Sequence, residues 1–139
     1  MEPIKRNHVD FNIARLLEKK RIDLECDQCF YLPHPEIAKK AKAKSLHWQL
    51  IPYHKLLNCK KAPELWQVVE HLKENYNIWI SIEWDYSYSS EREYYFYKIK
   101  YKTEERSIVH IQETAGKSEK SARAAYLSAF EYCLTSLIR

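Results

Sequence analysis

The chain has 139 residues, of which 30% are charged and 14% aromatic, and its formal net charge is +4. This length can bury a hydrophobic core, and the high aromatic content excludes a disordered chain. Because no apolar run is long enough to span a bilayer and no signal-peptide core follows Met1, we expect no membrane partner, a cytoplasmic location and four cysteines that are reduced thiols.

The N-terminal part predicts one helix followed by two strands. Asp10 can cap a helix whose apolar face includes Ile13 and Leu17. Alternation of apolar and polar side chains indicates a strand at residues 24–32 and a second at residues 46–53, and residues 54–61 are expected to connect onward. The lysine–alanine segment 36–44 is either a short exposed helix or a loop.

From Pro63 onward the pattern predicts a helix, three antiparallel strands and a second helix. Pro63 suits the first turn of a helix that extends to about Asn75. The strands are predicted at residues 77–86, 93–102 and 106–112. The last helix is predicted at residues 118–137, with Ser118 as its N-cap and an apolar face that includes Phe130, Cys133 and Leu137.

These elements together predict an α+β fold. We expect an antiparallel sheet of three to five strands, two main helices packed on one face of it and an N-terminal helix. The chain is predicted to form a single domain over residues 1–139. In this domain, residues 1–61 are a helix and strand extension, and residues 62–139 are the helix–three strands–helix core.

Two groups of cations are candidates for binding nucleic-acid phosphates. The first surrounds the predicted start of the last helix, where backbone N–H groups and the helix dipole favour anions: Lys117, Lys120 and Arg123. The second occupies alternate positions of the middle predicted strand, on the face that the helices would leave exposed to solvent: Lys98, Lys100 and Lys102.

Residues 116–125, Gly-Lys-Ser-Glu-Lys-Ser-Ala-Arg-Ala-Ala, resemble the start of the last helix in double-stranded-RNA-binding domains. That family has the same order of helix, three strands and helix, and its lysines at this point straddle phosphates across a groove. The resemblance implies RNA binding by roughly the last half of the chain. Glu119 stands where the family has one of two adjacent lysines.

A second resemblance spans most of the chain. Residues 57–79, residues 129–134 and the early segment 14–20 are similar to small proteins encoded in gut Bacteroidetes genomes and their mobile elements. No function is established for that family. The resemblance therefore implies only a small α+β accessory protein that a phage or transposon carries.

The aromatic side chains of one predicted hairpin indicate an alternative function. Outward-facing tyrosine and phenylalanine side chains suit a protein interface or base stacking. The candidates for contact with a protein partner, or with a second copy of the chain, are Tyr86, Tyr88, Tyr94 and Phe96.

Metal and catalytic motifs give little support to other functions. Cys26 and Cys29 have a spacing that can bind zinc, but a second Cys or His pair is missing, and buried structural thiols are the favoured interpretation. The sequence has no phosphate-binding loop, nucleophile elbow, metalloprotease motif or dinucleotide-binding glycine pattern. We therefore predict a non-enzymatic module that binds RNA or DNA, or alternatively a protein, without a metal or other cofactor.

Overall fold

The computed structural model describes residues 8–33, 48–53, 59–113 and 118–138. Within these ranges the chain forms three α-helices and two antiparallel three-stranded sheets, which confirms the predicted α+β class. The chain divides into two compact units, Met1–Glu64 and Leu65–Arg139. No helix in the described ranges is long and apolar enough to cross a membrane.

The first unit begins with helix α1, Phe11–Lys19, which starts where the sequence predicts. The carboxylate Oδ1 of Asp10 accepts a hydrogen bond from the backbone N–H of Ile13 at 2.9 Å, and this bond satisfies a donor that the first turn leaves unpaired. The apolar side of the helix is buried in the unit: Ile13, Ala14, Leu16 and Leu17.

The sheet of the first unit consists of three short strands in the order β2-β1-β3. They are β1 (Gln28–Tyr31), β2 (Gln49–Pro52) and β3 (Cys59–Lys61), and α1 packs against β3. Strand β3 lies in the segment predicted to be a connection, because three residues that include two lysines show no apolar alternation. The described strands are thus divided between two sheets, whereas the sequence predicts one sheet of three to five strands.

The second unit has the predicted order of helix, three strands and helix. Helix α2 spans Leu65–Tyr76 and helix α3 spans Ala122–Tyr132. Between them lie β4 (Ile78–Ser87), β5 (Arg92–Lys102) and β6 (Ile108–Gln112), with β5 in the middle of the sheet. The π-helical turn Cys133–Leu137 extends α3.

The register of the second sheet separates its two faces. The four residues between β4 and β5 set Ser87 opposite Arg92, so Ile80 lies opposite Ile99. The face that carries Ile78 and Ile99 is the buried one, with exposed fractions of only 3% and 1%. Helix α3 packs against β4 and β5, and α2 packs against β4.

The N-cap of helix α3 lies three residues later than the sequence predicts. This cap is Ser121, whose Oγ accepts a hydrogen bond from the N–H of Ala124 at 3.1 Å. Upstream, Glu119 forms an antiparallel bridge with Tyr95 of β5: Glu119 N–H donates to Tyr95 O at 2.7 Å, and Tyr95 N–H donates to Glu119 O at 2.9 Å. The residues around Glu119 therefore run beside the sheet instead of forming the first turn of the helix.

The π-helical turn changes which side chain closes the core. The N–H of Ile138 donates to the carbonyl of Cys133 at 2.9 Å, an i to i+5 bond that adds one residue to the last turn. As a result, Ile138 is buried where regular α-helical spacing predicts Leu137.

Candidate binding face of the second sheet

The exposed face of the second sheet, which we call the open face, lies opposite the face that carries the buried Ile78 and Ile99. It is formed by alternate residues of the three strands, and the register places them in rows across the sheet. Its members are Trp79, Ser81, Glu83 and Asp85 of β4; Arg92, Tyr94, Phe96, Lys98, Lys100 and Lys102 of β5; and Ile108, His110 and Gln112 of β6.

The three predicted lysines of β5 lie together on the open face, and all three are exposed. Because every second residue of a strand points to the same side, neighbours among them are about 6.7 Å apart along the strand. Lys98 Nζ lies 4.0 Å from Glu83 Oε1 and 6.0 Å from the centre of the Phe96 ring. Within the described ranges, Lys100 and Lys102 have no carboxylate partner, so their charges are available to a ligand.

A depression of about 660 Å³ lies in the part of the open face away from the β4–β5 turn. One row that lines it has Trp79 of β4, Lys100 of β5 and His110 of β6 side by side. The Trp79 side chain is 40% exposed, so a ligand in the depression can reach its ring. Lys98 and Gln112 line the same depression.

Sequence reasoning missed Trp79, His110 and Gln112 as site residues. The signal that could have found them is the length of the β4–β5 turn. A four-residue turn that pairs Ser87 with Arg92 also pairs Trp79 with Lys100. Alternation alone shows which residues share one side of a strand, but it does not show which residues of the next strand stand beside them.

The part of the open face near the β4–β5 turn is aromatic and acidic. The rings of Tyr94 and Phe96 stack at 5.9 Å between centres, and both side chains are half-buried. Tyr94 Oη donates a hydrogen bond to Asp85 Oδ2 at 3.1 Å, and this bond raises the pKa of Tyr94. The carboxylates of Asp85 and Glu83 therefore give this part of the face negative charge.

The four predicted interface aromatics do not share one surface. Tyr86 lies on the opposite side of the sheet from Tyr94 and Phe96, because it stands opposite Glu93 in the register. Tyr88 lies in the β4–β5 turn with 87% of its side chain exposed, and its ring contacts that of Tyr86 edge to face at 5.0 Å. The hairpin thus offers two separate aromatic surfaces.

The structure places only part of the predicted basic group in the last helix. Lys117 lies outside the described residues, Lys120 precedes the cap residue, and the half-buried Arg123 is the second residue of α3. Lys120 lines a depression of about 460 Å³ together with Arg92, Tyr94 and two carboxylates, those of Glu93 and Glu119. Of the three predicted cations, the first turn of α3 contains only Arg123, and the carboxylates near Lys120 oppose an anionic ligand.

The formal charge of the chain is unevenly distributed. Residues 1–64 contain thirteen Lys and Arg against eight Asp and Glu, a net charge of +5. Residues 65–139 contain ten Lys and Arg against eleven Asp and Glu, a net charge of −1. Any attraction of the second unit for phosphates must therefore come from a local cluster such as the lysines of the open face.

The Cys26–Cys29 pair has the environment of structural thiols. Cys29 is fully buried, and Cys26 Sγ donates a hydrogen bond to the carbonyl of Gln28 at 3.1 Å. Partial burial raises the pKa of Cys26, which disfavours the thiolate that a metal needs. In the part of the chain that the structure describes, no group of three or more His, Cys, Asp or Glu side chains could hold a metal ion.

Comparison of the chain with protein-family models, curated proteins and solved structures finds no match. Both family resemblances, to double-stranded-RNA-binding domains and to the small Bacteroidetes proteins, therefore stay predictions.

Proposed function

We propose that the second unit is a non-enzymatic binding module whose open face takes up a single strand of RNA or DNA. In this proposal α2 and α3 together cover the other face of the sheet and leave the open face to the ligand. The observation that carries it is the row of Trp79, Lys100 and His110 that lines a depression, with Lys98 and Lys102 along the same strand.

Single-stranded nucleic acids are bound by aromatic rings that stack on bases and by cations that follow the backbone. The open face supplies both, with Trp79 beside a line of exposed lysines, of which Lys100 and Lys102 have no carboxylate partner in the described ranges. The depression has a volume within the range of small-molecule sites, about 300 to 1,000 Å³, so it can take a base with its sugar.

Two observations favour a single strand over a duplex. Duplex binding would use the start of the last helix, where the two carboxylates of Glu93 and Glu119 cancel the formal charges of Lys120 and Arg92. A duplex would also present many phosphates to a unit whose formal net charge is −1. A protein partner fits the open face less well, because lysine is depleted in protein interfaces.

The test is fluorescence anisotropy with labelled single-stranded RNA, single-stranded DNA and duplexes of the same sequences at low salt. We expect the single strands to bind more tightly than the duplexes. The log–log dependence of affinity on salt should have a slope of about −2, since each phosphate contact to a single strand contributes about −0.7 and three lysines are available. Absence of binding, or preference for the duplexes, would overturn the proposal.

Variants locate the site. Lys100→Glu with Lys102→Glu should abolish binding, and Trp79→Ala should weaken it roughly tenfold to a hundredfold, because stacking on one base contributes about 1 to 3 kcal/mol. The matched controls are Lys73→Glu on α2 and Trp84→Ala, which changes an exposed ring on the opposite side of β4. If the controls weaken binding as much as the open-face variants, the ligand lies elsewhere.

A second candidate function is protein binding or self-association through the aromatic side chains near the β4–β5 turn. Trp84 and Tyr88 are exposed by 56% and 87%, and exposed aromatic rings of this kind are enriched in protein interfaces. An accessory protein of a phage or transposon could use this surface to hold a partner. Sedimentation velocity should then show a dimer, or a complex with a copurified protein, that Trp84→Ser with Tyr88→Ser disrupts. A monomer at all concentrations would argue against it.

A further inference from the structure

We infer that the binding track on the open face is short, that it holds about three consecutive phosphates, and that carboxylates at both of its ends set this length. The inference rests on the proposed function and specifies the ligand that the site takes. Its basis is the order of charges along β4, along β5 and in the β5–β6 turn.

The lysines have the spacing of a single-stranded backbone. Lys98, Lys100 and Lys102 occupy two intervals of about 6.7 Å each, or about 13 Å in total. In an extended single strand the phosphates repeat at roughly twice the axial rise of about 3.4 Å that one strand has in a duplex. Each lysine can therefore meet one phosphate when the nucleic acid runs along β5.

Carboxylates follow the track on the side of the β4–β5 turn. Glu83 Oε1 lies 4.0 Å from Lys98 Nζ, and the next row holds Asp85, whose Oδ2 accepts from the Tyr94 hydroxyl at 3.1 Å. A phosphate one step beyond Lys98 would lie beside both carboxylates, closer than the Debye length of about 8 to 10 Å. Arg92 lies on the same face two rows beyond Phe96, so the formal net charge of Glu83, Asp85 and Arg92 together is −1. Like-charge repulsion therefore opposes extension in this direction.

Carboxylates also follow the track at its other end. Lys102 is the last residue of β5, and the turn that follows carries Glu104 and Glu105, both exposed. Arg106 lies in the same turn, so the formal net charge of the turn is −1. Backbone hydrogen bonds hold the turn, from Arg106 N–H to Thr103 O at 3.0 Å and from Thr103 N–H to Ser107 O at 2.8 Å.

The stacking residue lies at the centre of this track. Trp79 stands opposite Lys100, the middle lysine, with His110 on the other side of the same lysine. The base that stacks on Trp79 thus belongs to the nucleotide at the middle of the bound segment. A ligand of three to four nucleotides places that base on Trp79 and its neighbouring phosphates on Lys98 and Lys102.

The experiment measures the affinity of oligothymidylates from two to eight nucleotides long at low salt. We expect affinity to rise steeply up to about four nucleotides, the lower end of known single-strand site sizes. Beyond that length it should rise only by the statistical factor for additional binding positions. A continued steep rise up to eight nucleotides would overturn the inference while leaving the proposed function intact, whereas absence of binding at every length would overturn both.

Variants that neutralise the carboxylates test whether these groups limit the length of the bound nucleic-acid segment. In Glu83→Gln with Asp85→Asn, the octamer should gain at least about fivefold in affinity relative to the tetramer, because the repulsion beyond Lys98 is removed. The control is Glu70→Gln with Glu74→Gln, which removes two exposed charges from α2 and should leave that ratio unchanged. An unchanged ratio in the open-face variant, or an equal change in the control, would contradict the role of the carboxylates.

Discussion

Among the residues that the structure describes, four other than glycine have left-handed backbone conformations, with φ between 54° and 62°: Arg21, Asn77, Glu91 and Arg106. The first two follow helices, and the others lie in the two turns of the second sheet. For a residue with a Cβ this conformation costs roughly 1 to 2 kcal/mol, although asparagine tolerates it better. The sequence has only one glycine, at position 116, so these positions carry strain that a glycine would relieve.

We predict that Arg106→Gly raises the free energy of unfolding by about 0.5 to 1 kcal/mol. The free energy gained by relief of the strain exceeds the free energy lost because glycine gives the unfolded chain more conformational entropy. Arg92→Gly, in the extended backbone of β5, should instead lower stability. Urea unfolding measures both variants, and a loss of stability in Arg106→Gly equal to that in Arg92→Gly would contradict the prediction.

The buried thiol of Cys133 links stability to alkaline pH. Burial raises the pKa of Cys133 from 9.0 to about 12. Above pH 9 the unfolded chain loses this proton while the folded chain keeps it, so stability falls as pH rises from about 9 towards 12. The limiting slope for one proton is about 1.4 kcal/mol per pH unit.

We predict that Cys133→Ala reduces the loss of stability between pH 8 and pH 10.5, even if the variant is less stable at pH 7. Urea unfolding under reducing conditions at a series of pH values gives the two curves. Cys59→Ala, which removes a half-buried thiol of the first unit, is the control for thiol deletion. Parallel curves for the native chain and Cys133→Ala would show that another group causes the pH dependence.

At the scale of elements, the cap of α3 gives a direct test. Ser121→Ala should lower the free energy of unfolding by about 1 kcal/mol, because the N–H of Ala124 loses its acceptor. Ser118→Ala should change it by less than about 0.5 kcal/mol, since position 118 precedes the helix. Thermal unfolding of both variants decides between the two caps, and the reverse order of effects would place the helix start at Ser118.

Local signals predicted most elements of the fold, and non-local contacts account for the errors. The cap of α1, the helix after Pro63 and the alternation in β4 and β5 are properties of short segments, so they could be recognised from the sequence. Ser118 and Ser121 are equally good caps by local rules. The choice between them depends on the bridge from Glu119 to Tyr95, which no local pattern indicates.

The candidate site could be predicted only in part, because local patterns are visible in the sequence and tertiary contacts are not. Alternation along β5 placed Lys98, Lys100 and Lys102 on the wet face, where the structure has them. The row of Trp79, Lys100 and His110 depends on the pairing of three strands, which is a tertiary property. The carboxylate of Glu93 near Lys120 likewise comes from a residue that is distant in the sequence.

At the scale of the whole molecule, we predict that residues 65–139 fold without residues 1–64. This unit contains a core of its own, which includes Leu72, Ile99, Phe130 and Leu134, all buried. Circular dichroism and urea unfolding of the isolated unit should show a cooperative transition. An unfolded fragment would favour the single domain over residues 1–139 that the sequence predicts.

Because of the π-helical turn Cys133–Leu137, we expect the last helix to tolerate the deletion of one residue. Such a turn is equivalent to one residue inserted into an α-helix. Deletion of the exposed Thr135 would place Ile138 four residues after Cys133, so the same side chain would close the core from a regular α-helix. We therefore expect this deletion to leave the fold and most of its stability intact, as measured by thermal unfolding.

Insertion of one alanine after Thr135 should be far more disruptive, because Ile138 would then rotate away from the core. Equal loss of stability in the deletion and the insertion would contradict this interpretation of the turn. If the prediction holds, the C-terminal helix can lose one residue without loss of its buried contacts. Homologous chains could then differ by a single-residue gap at this point and still build the same core.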